Sequence, residues 1–256
     1  MRMAGLLEVC ADSVGSAVNA ARGGADRIEL CSALPLGGLS PDEDLFCMVR
    51  ERVDIPVRVL LRPRAGDFLY DEDEFELLCR QASRFAGLGA DGIVIGMLNP
   101  DGTLDAERMS ALMAFGDGCG VTLHRAFDVC RDAHEALRTA KKLGVDTILT
   151  SGQQARCADG APLLRELVSE SGEGLRILIG GGVNADVIRA LAPQTGADAF
   201  HLSAKAAVPS GMEFRRENVP MGIPGLNEFE LWRCDEGAVR AAREALDAVC
   251  TARKEN

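Results

Sequence analysis

The chain has 256 residues, 47% hydrophobic and 26% charged, an ordinary globular composition that excludes collagen-like, disordered and disulfide-scaffold classes. A net charge of −11, with nine Phe, one Trp and one Tyr, argues against a nucleic-acid surface. No apolar run is long enough to span a membrane, and the opening Met1-Arg2-Met3-Ala4-Gly5-Leu6-Leu7-Glu8 reaches an acidic residue too early for a signal peptide.

In chain order, short apolar runs alternate with amphipathic stretches. Strands are expected at 6–10, 27–30, 57–62, 92–95, 120–125, 147–150, 176–180 and 199–202. Helices are expected over roughly 13–21, 41–53, 71–85, 105–114, 132–143, 162–171, 185–191 and 236–252. Ser40-Pro41-Asp42-Glu43 reads as a capping box opening the second helix, and Asp71 with Glu74 opens the third. One phrase recurs before alternate strands: Gly24-Ala25-Asp26, Gly89-Ala90-Asp91, Gly144-Val145-Asp146 and Gly196-Ala197-Asp198. Each Gly suits a left-handed helix end, and each Asp turns the chain into a strand. The aspartates lie 65, 55 and 52 residues apart, the length of two βα units. A doubly wound open sheet has no reason to repeat every two units. The expectation is therefore an α/β fold, a (β/α)8 TIM barrel forming a single domain over 1–256.

The stretch 205–234 breaks the pattern. It carries Pro209, Pro220, Pro224, Gly211, Gly222 and Gly225 without a helical period, and reads as a long loop on the C-terminal face. A lid or an oligomer contact is its expected use, with disorder the plainer alternative. Lys205, Arg215 and Arg216 within it read as solvated surface charge.

Strand alternation then sorts the side chains. With Leu7, Val9, Ile28, Leu30, Val57, Val59, Leu61, Val121, Leu123, Phe200 and Leu202 facing the helices, the mouth receives Glu8, Cys10, Glu29, Cys31, Arg62, His124, His201 and Ser203, with Arg64 at the rim. Glu8, Glu29 and Arg62 admit a structural reading, an ion-pair layer plugging the barrel. Their place at strand C-termini admits a functional one, in which Glu8, Glu29, Arg62, His124, Asp128 and His201 bind an anion and move a proton. Gly180-Gly181-Gly182-Val183 precedes a helix, so with Ser203, Arg62 and Arg64 it is a candidate anion cradle.

Nine cysteines without a CxxC pair read as reduced thiols and point to the cytoplasm. Seven of them, Cys47, Cys79, Cys119, Cys130, Cys157, Cys234 and Cys250, fall at unrelated spacings and read as packing residues. Cys10 and Cys31 end matching phrases, Leu-Glu-Val-Cys and Ile-Glu-Leu-Cys, on adjacent strands. Two such thiols suit Cu(I) better than a hard ion, and Zn2+ less because it prefers four ligands. Small buried residues in a crowded strand are the plainer reading of the same spacing.

Several motifs in fixed order are recognisable: Leu7-Glu8-Val9-Cys10-Ala11-Asp12-Ser13, Gly23-Gly24-Ala25-Asp26-Arg27-Ile28-Glu29-Leu30-Cys31, Arg62-Pro63-Arg64-Ala65-Gly66-Asp67-Phe68, His124-Arg125-Ala126-Phe127-Asp128 and His201-Leu202-Ser203-Ala204. On these the chain resembles the CutC family, named for copper homeostasis, over nearly its whole length. The resemblance implies a cytosolic barrel, often a homo-oligomer, with a Cu(I) site whose two cysteines match Cys10 and Cys31. It implies a metal-ion partner; no organic cofactor is expected. A copper carrier needs only the thiols, whereas the polar mouth suits an enzyme acting on a small anionic ligand bearing phosphate or carboxylate. Both readings stand at this point.

Overall fold

The computed structural model describes residues 5–216, 219, 222 and 227–255. Met1 to Ala4, on which part of the leader reading rested, and Pro220, Pro224 and Gly225 of the long loop lie outside the described residues.

Eight parallel strands close into a barrel in sequence order: β1 (Leu6–Ala11), β2 (Arg27–Leu30), β3 (Val57–Leu60), β4 (Gly92–Ile95), β5 (Gly120–Leu123), β6 (Thr147–Thr150), β7 (Arg176–Ile179) and β8 (Ala199–Leu202). Eight helices surround them: α1 (Val14–Arg22), α2 (Glu43–Arg50), α3 (Glu72–Gly87), α4 (Ala106–Phe115), α5 (Ala133–Leu143), α6 (Ala161–Ser171), α7 (Ala185–Thr195) and α8 (Glu236–Glu255). This is the (β/α)8 barrel expected from the two-unit repeat. Outward residues such as Leu7, Val9, Ile28, Leu30, Val59 and Phe200 pack with helix residues such as Phe46, Phe85 and Leu164 in one continuous core between strands and helices.

The recurring Gly-x-Asp phrase has a physical cause. Asp26 Oδ2 accepts from Leu7 N at 2.7 Å, Asp91 Oδ2 from Val57 N at 2.8 Å, and Asp146 Oδ2 from Val121 N at 2.7 Å. Each aspartate precedes an even-numbered strand and clamps it to the odd-numbered strand before it. The four glycines Gly24, Gly89, Gly144 and Gly196 all have positive φ, which lets the chain reverse out of the helix.

Two local expectations change. The capping box at Ser40 does not form: Asp42 is the N-cap of α2, accepting from Asp44 N at 2.9 Å, and α2 begins at Glu43. Ser40 Oγ instead accepts from Arg62 N at 2.9 Å and donates to Gln81 Oε1 at 2.8 Å, tertiary contacts that outbid a local cap. The capping box of Asp71 and Glu74 forms as expected. The 205–234 stretch is not wholly irregular either. Its ends pair as an antiparallel ribbon of β9 (Lys205–Pro209) and β10 (Glu230–Cys234), with Lys205 opposite Cys234. The ribbon's base is moored by Asp235 N donating to Ala204 O at 2.8 Å and Cys234 N to Ser16 Oγ of α1 at 3.1 Å.

Candidate functional site

The polar interior is centred on three adjacent strands, with β1 between β8 and β2. Glu8 pairs in register with His201 of β8 and with Arg27 of β2, and Cys10 pairs with Glu29. Because the alternate residues Leu7, Val9, Ile28, Leu30, Phe200 and Leu202 belong to the outer core, Glu8, Cys10, Arg27, Glu29, Cys31 and His201 turn inward.

Glu8 is completely buried. Its Oε2 accepts from Arg27 Nε at 2.5 Å, and its Oε1 lies 2.8 Å from His201 Nδ1. Burial pushes its carboxyl upward, but the Arg27 guanidinium and His201 outweigh it and hold the pKa at about 2. Glu29 goes the other way. Burial drives it up to about 7, with His201 pulling down and Glu8 pushing up. Its Oε2 is buried and has no hydrogen-bond partner. Burial disfavours the charged form of His201, yet Cys10, Glu29 and Glu8 around it raise its pKa well above 6.5. An imidazolium there donates Nδ1–H to Glu8. Glu8, Glu29 and His201 each bring a ligand atom within 4.8 Å of the others, the one such group of three among the described residues.

Cys10 and Cys31 are free and buried on β1 and at the end of β2. The register staggers them, since Cys10 stands opposite Glu29 and Cys31 lies one inward position nearer the mouth. The matching phrases therefore do not put the two thiols at equal height. Cys31 Sγ donates to Ala11 O at 3.5 Å and packs against Leu60 and Val94. Burial pushes its thiol well above the usual 9.0, and Cys10, Glu29 and Asp12 add to the effect.

The other expected site residues have local employment. Arg62 lies past the end of β3, where its Nη1 donates to Leu36 O at 3.1 Å and Gly38 O at 3.0 Å, and its Nη2 to Gly66 O at 3.0 Å. Its guanidinium also sits 5.2 Å over the Phe68 ring. Main-chain carbonyls thus take up Nη1 and Nη2, while Nε is buried without a hydrogen-bond partner. Arg64 pairs with Glu74 at 2.5 Å and Asp67 at 3.1 Å, which ties it to the start of α3. His124 accepts from Ala126 N at 3.1 Å through Nδ1 and lies 4.9 Å from Phe68, centroid to centroid. Burial and the Arg62 charge lower its pKa to about 3, so the ring is neutral. Asp128 organises the turn after β6, accepting from Thr150 Oγ1 at 2.5 Å, Ser151 N at 3.0 Å and Gln153 N at 3.2 Å while pairing with Arg125 at 2.7 Å. Gly180 follows β7, and Gly181 and Gly182 turn with φ of 94° and 86°. Asn184 caps α7 there through Val187 N at 2.9 Å. Ser203 is half-buried just past β8.

Two interior cations escaped the sequence reading, although the same alternation marks both. Arg27 supports Glu8, and Arg58 Nη1 donates to Asp146 Oδ1 and Thr122 Oγ1, each at 2.7 Å. With Arg176, Asp198 and Arg253 they line a cavity of about 660 Å³ at the N-terminal end of the barrel, opposite the strand ends that carry the cysteines.

Comparison with known proteins follows the same lines. The model of the CutC family matches residues 5–206. A family protein CutC of Bacteroides fragilis is 45% identical over 227 residues, spanning 88% of this chain and 90% of that one. The copper homeostasis protein cutC homolog of Homo sapiens is 44% identical over 237 residues, spanning 92% and 86% respectively. Among solved structures, a CutC protein of Streptococcus agalactiae matches with a TM-score of 0.73 at 26% identity, covering 78% of this chain and 98% of its own.

Proposed function

Since this chain belongs to the CutC family, we propose that it serves copper homeostasis by holding Cu(I) between the Cys10 and Cys31 thiolates. One observation carries this reading. Two free, buried cysteines occupy neighbouring inward positions on β1 and just past β2, close enough for Cys10 to raise the Cys31 thiol. The donor set fits the ion, because soft sulfur ligands shielded from water favour Cu(I) over hard cations. Loading takes the proton off the Cys31 thiol, which burial keeps protonated, and Glu29, near 7, is the adjacent base. Nine free cysteines fit work in the reducing cytoplasm, and the family resemblance favours a homo-oligomer.

The test is an anaerobic Cu(I) competition titration of the reduced protein beside Cys10→Ser and Cys31→Ser, with folding checked by circular dichroism. One Cu(I) per chain, weakened at least about a hundredfold by either substitution, supports the reading. Binding indifferent to both residues overturns it.

A second reading rests on Glu29, a buried carboxyl with an unpartnered oxygen and a pKa near neutrality, which is the profile of a general acid–base group. In that reading the protein is an enzyme for a small phosphate- or carboxylate-bearing substrate, met by the Gly181–Gly182 turn and Ser203. A thermal-shift screen of such anions checks it: ligands that stabilise the wild type and lose the effect in Ser203→Ala support it, and a blank screen removes it.

A further inference from the structure

Beside the Cys10 thiol lies a donor set of different chemistry. Glu8, Glu29 and His201 come from three adjacent strands and place one ligand atom each within 4.8 Å of the others. Some point lies within about 2.8 Å of all three atoms, against about 2.0–2.2 Å for oxygen and nitrogen ligands on Zn2+, so each ligand has less than about 1 Å to move.

Two further observations point to a ligand. Glu29 Oε2 is buried without a partner, a cost that native interiors rarely leave standing. Arg27 holds the far oxygen of Glu8, leaving Oε1 turned toward His201, which is the outer support that orients a metal-binding carboxylate. We propose that Glu8, Glu29 and His201 form a second metal site, for a divalent cation of the hard-to-borderline class such as Mn2+. Carboxylate oxygen and imidazole nitrogen select that class, whereas the two thiols select a soft monovalent ion. Three protein ligands leave coordination positions open, as in catalytic rather than structural sites. The proposal goes beyond the copper reading and depends on none of its ligand atoms.

The experiment titrates chelator-stripped protein with Mn2+ and reads free aqueous Mn2+ by electron paramagnetic resonance. It compares the wild type, Glu29→Gln, His201→Asn and the Cys10→Ser/Cys31→Ser double variant, each checked for folding, and repeats the Cu(I) titration on all four. Glu29→Gln is nearly isosteric and removes a buried charge, and His201→Asn gives an independent second measure. The expected result is one Mn2+ per chain, weakened at least about tenfold in Glu29→Gln and His201→Asn and unchanged in the cysteine variant. No uptake by the wild type, uptake that both ligand variants retain, or uptake lost with the cysteines overturns the proposal. The copper reading fails separately, by Cu(I) binding that ignores Cys10 and Cys31.

Discussion

His201 Nδ1 stands 2.8 Å from Glu8 Oε1 across the β1–β8 seam, the pairing at which the barrel closes on itself. The first and last strands are thus joined by a charge contact as well as by their ladder, and Arg27 braces the same carboxylate from the other side. Glu8 has a folded pKa of about 2 against an ordinary 4.5, so its contribution to stability is complete above about 4.5 and is lost as pH falls toward 2. Glu8→Gln is expected to flatten that acid limb while lowering stability at pH 7. Urea midpoints from pH 2 to 7 measure it, and an unchanged acid limb would rule the assignment out.

Glu29 gives the opposite sign. Its folded pKa of about 7 exceeds the ordinary 4.5, so the folded state keeps a proton that the unfolded chain releases. Stability from this group therefore declines as pH rises from 4.5 to about 7 and levels off above. Glu29→Gln is expected to remove the slope and to stabilise metal-free protein at pH 8 by about 3 kcal/mol. Unfolding in chelator at pH 5 and pH 8 tests this, and equal slopes in variant and wild type would contradict it.

Arg62 joins two loops through three carbonyl oxygens, a fork that an ammonium does not reproduce. Arg62→Lys is expected to cost about 2–3 kcal/mol, a fall of roughly 4–12 °C in melting temperature, with Cu(I) affinity unchanged. A large loss of ligand binding without a loss of stability would assign Arg62 to the site instead.

Asp128 receives donors from Thr150, Ser151 and Gln153 and pairs with Arg125. Asp128→Ala leaves several buried donors unmatched and is expected to cost about 2–4 kcal/mol by denaturant unfolding. Both metal titrations should keep their midpoints. A stable Asp128→Ala protein with weakened metal uptake would show a direct role instead.

The fold was legible because the clamps repeat: Asp26, Asp91 and Asp146 each bond the strand before their own, and that two-strand logic is written in the chain. Strand alternation also placed Glu8, Glu29 and His201 inward. What escaped it were partners brought from afar. Nothing near Arg62 in sequence announces that Leu36 and Gly38 will take its guanidinium, and nothing near Ser40 announces Gln81. Cys10 and Cys31 looked level because the phrases match, but barrel stagger is a property of strand pairing that no single strand encodes. Arg27 was legible and passed over, since a positive charge at the start of a strand resembles a solvated flank until its carboxylate is seen.

The excursion after β8 leaves the barrel at Lys205 and returns at Cys234, two residues held opposite one another in the ribbon. Its mouth is fastened by Asp235 to Ala204 and by Cys234 to Ser16, so the ends meet whatever length of chain separates them. Extending a closed loop is cheap, about 0.6 kcal/mol for each doubling of its length. The ribbon is therefore a natural port: a foreign peptide, a fluorophore or a spare module spliced between β9 and β10 would ride on the barrel without disturbing the eight-stranded frame.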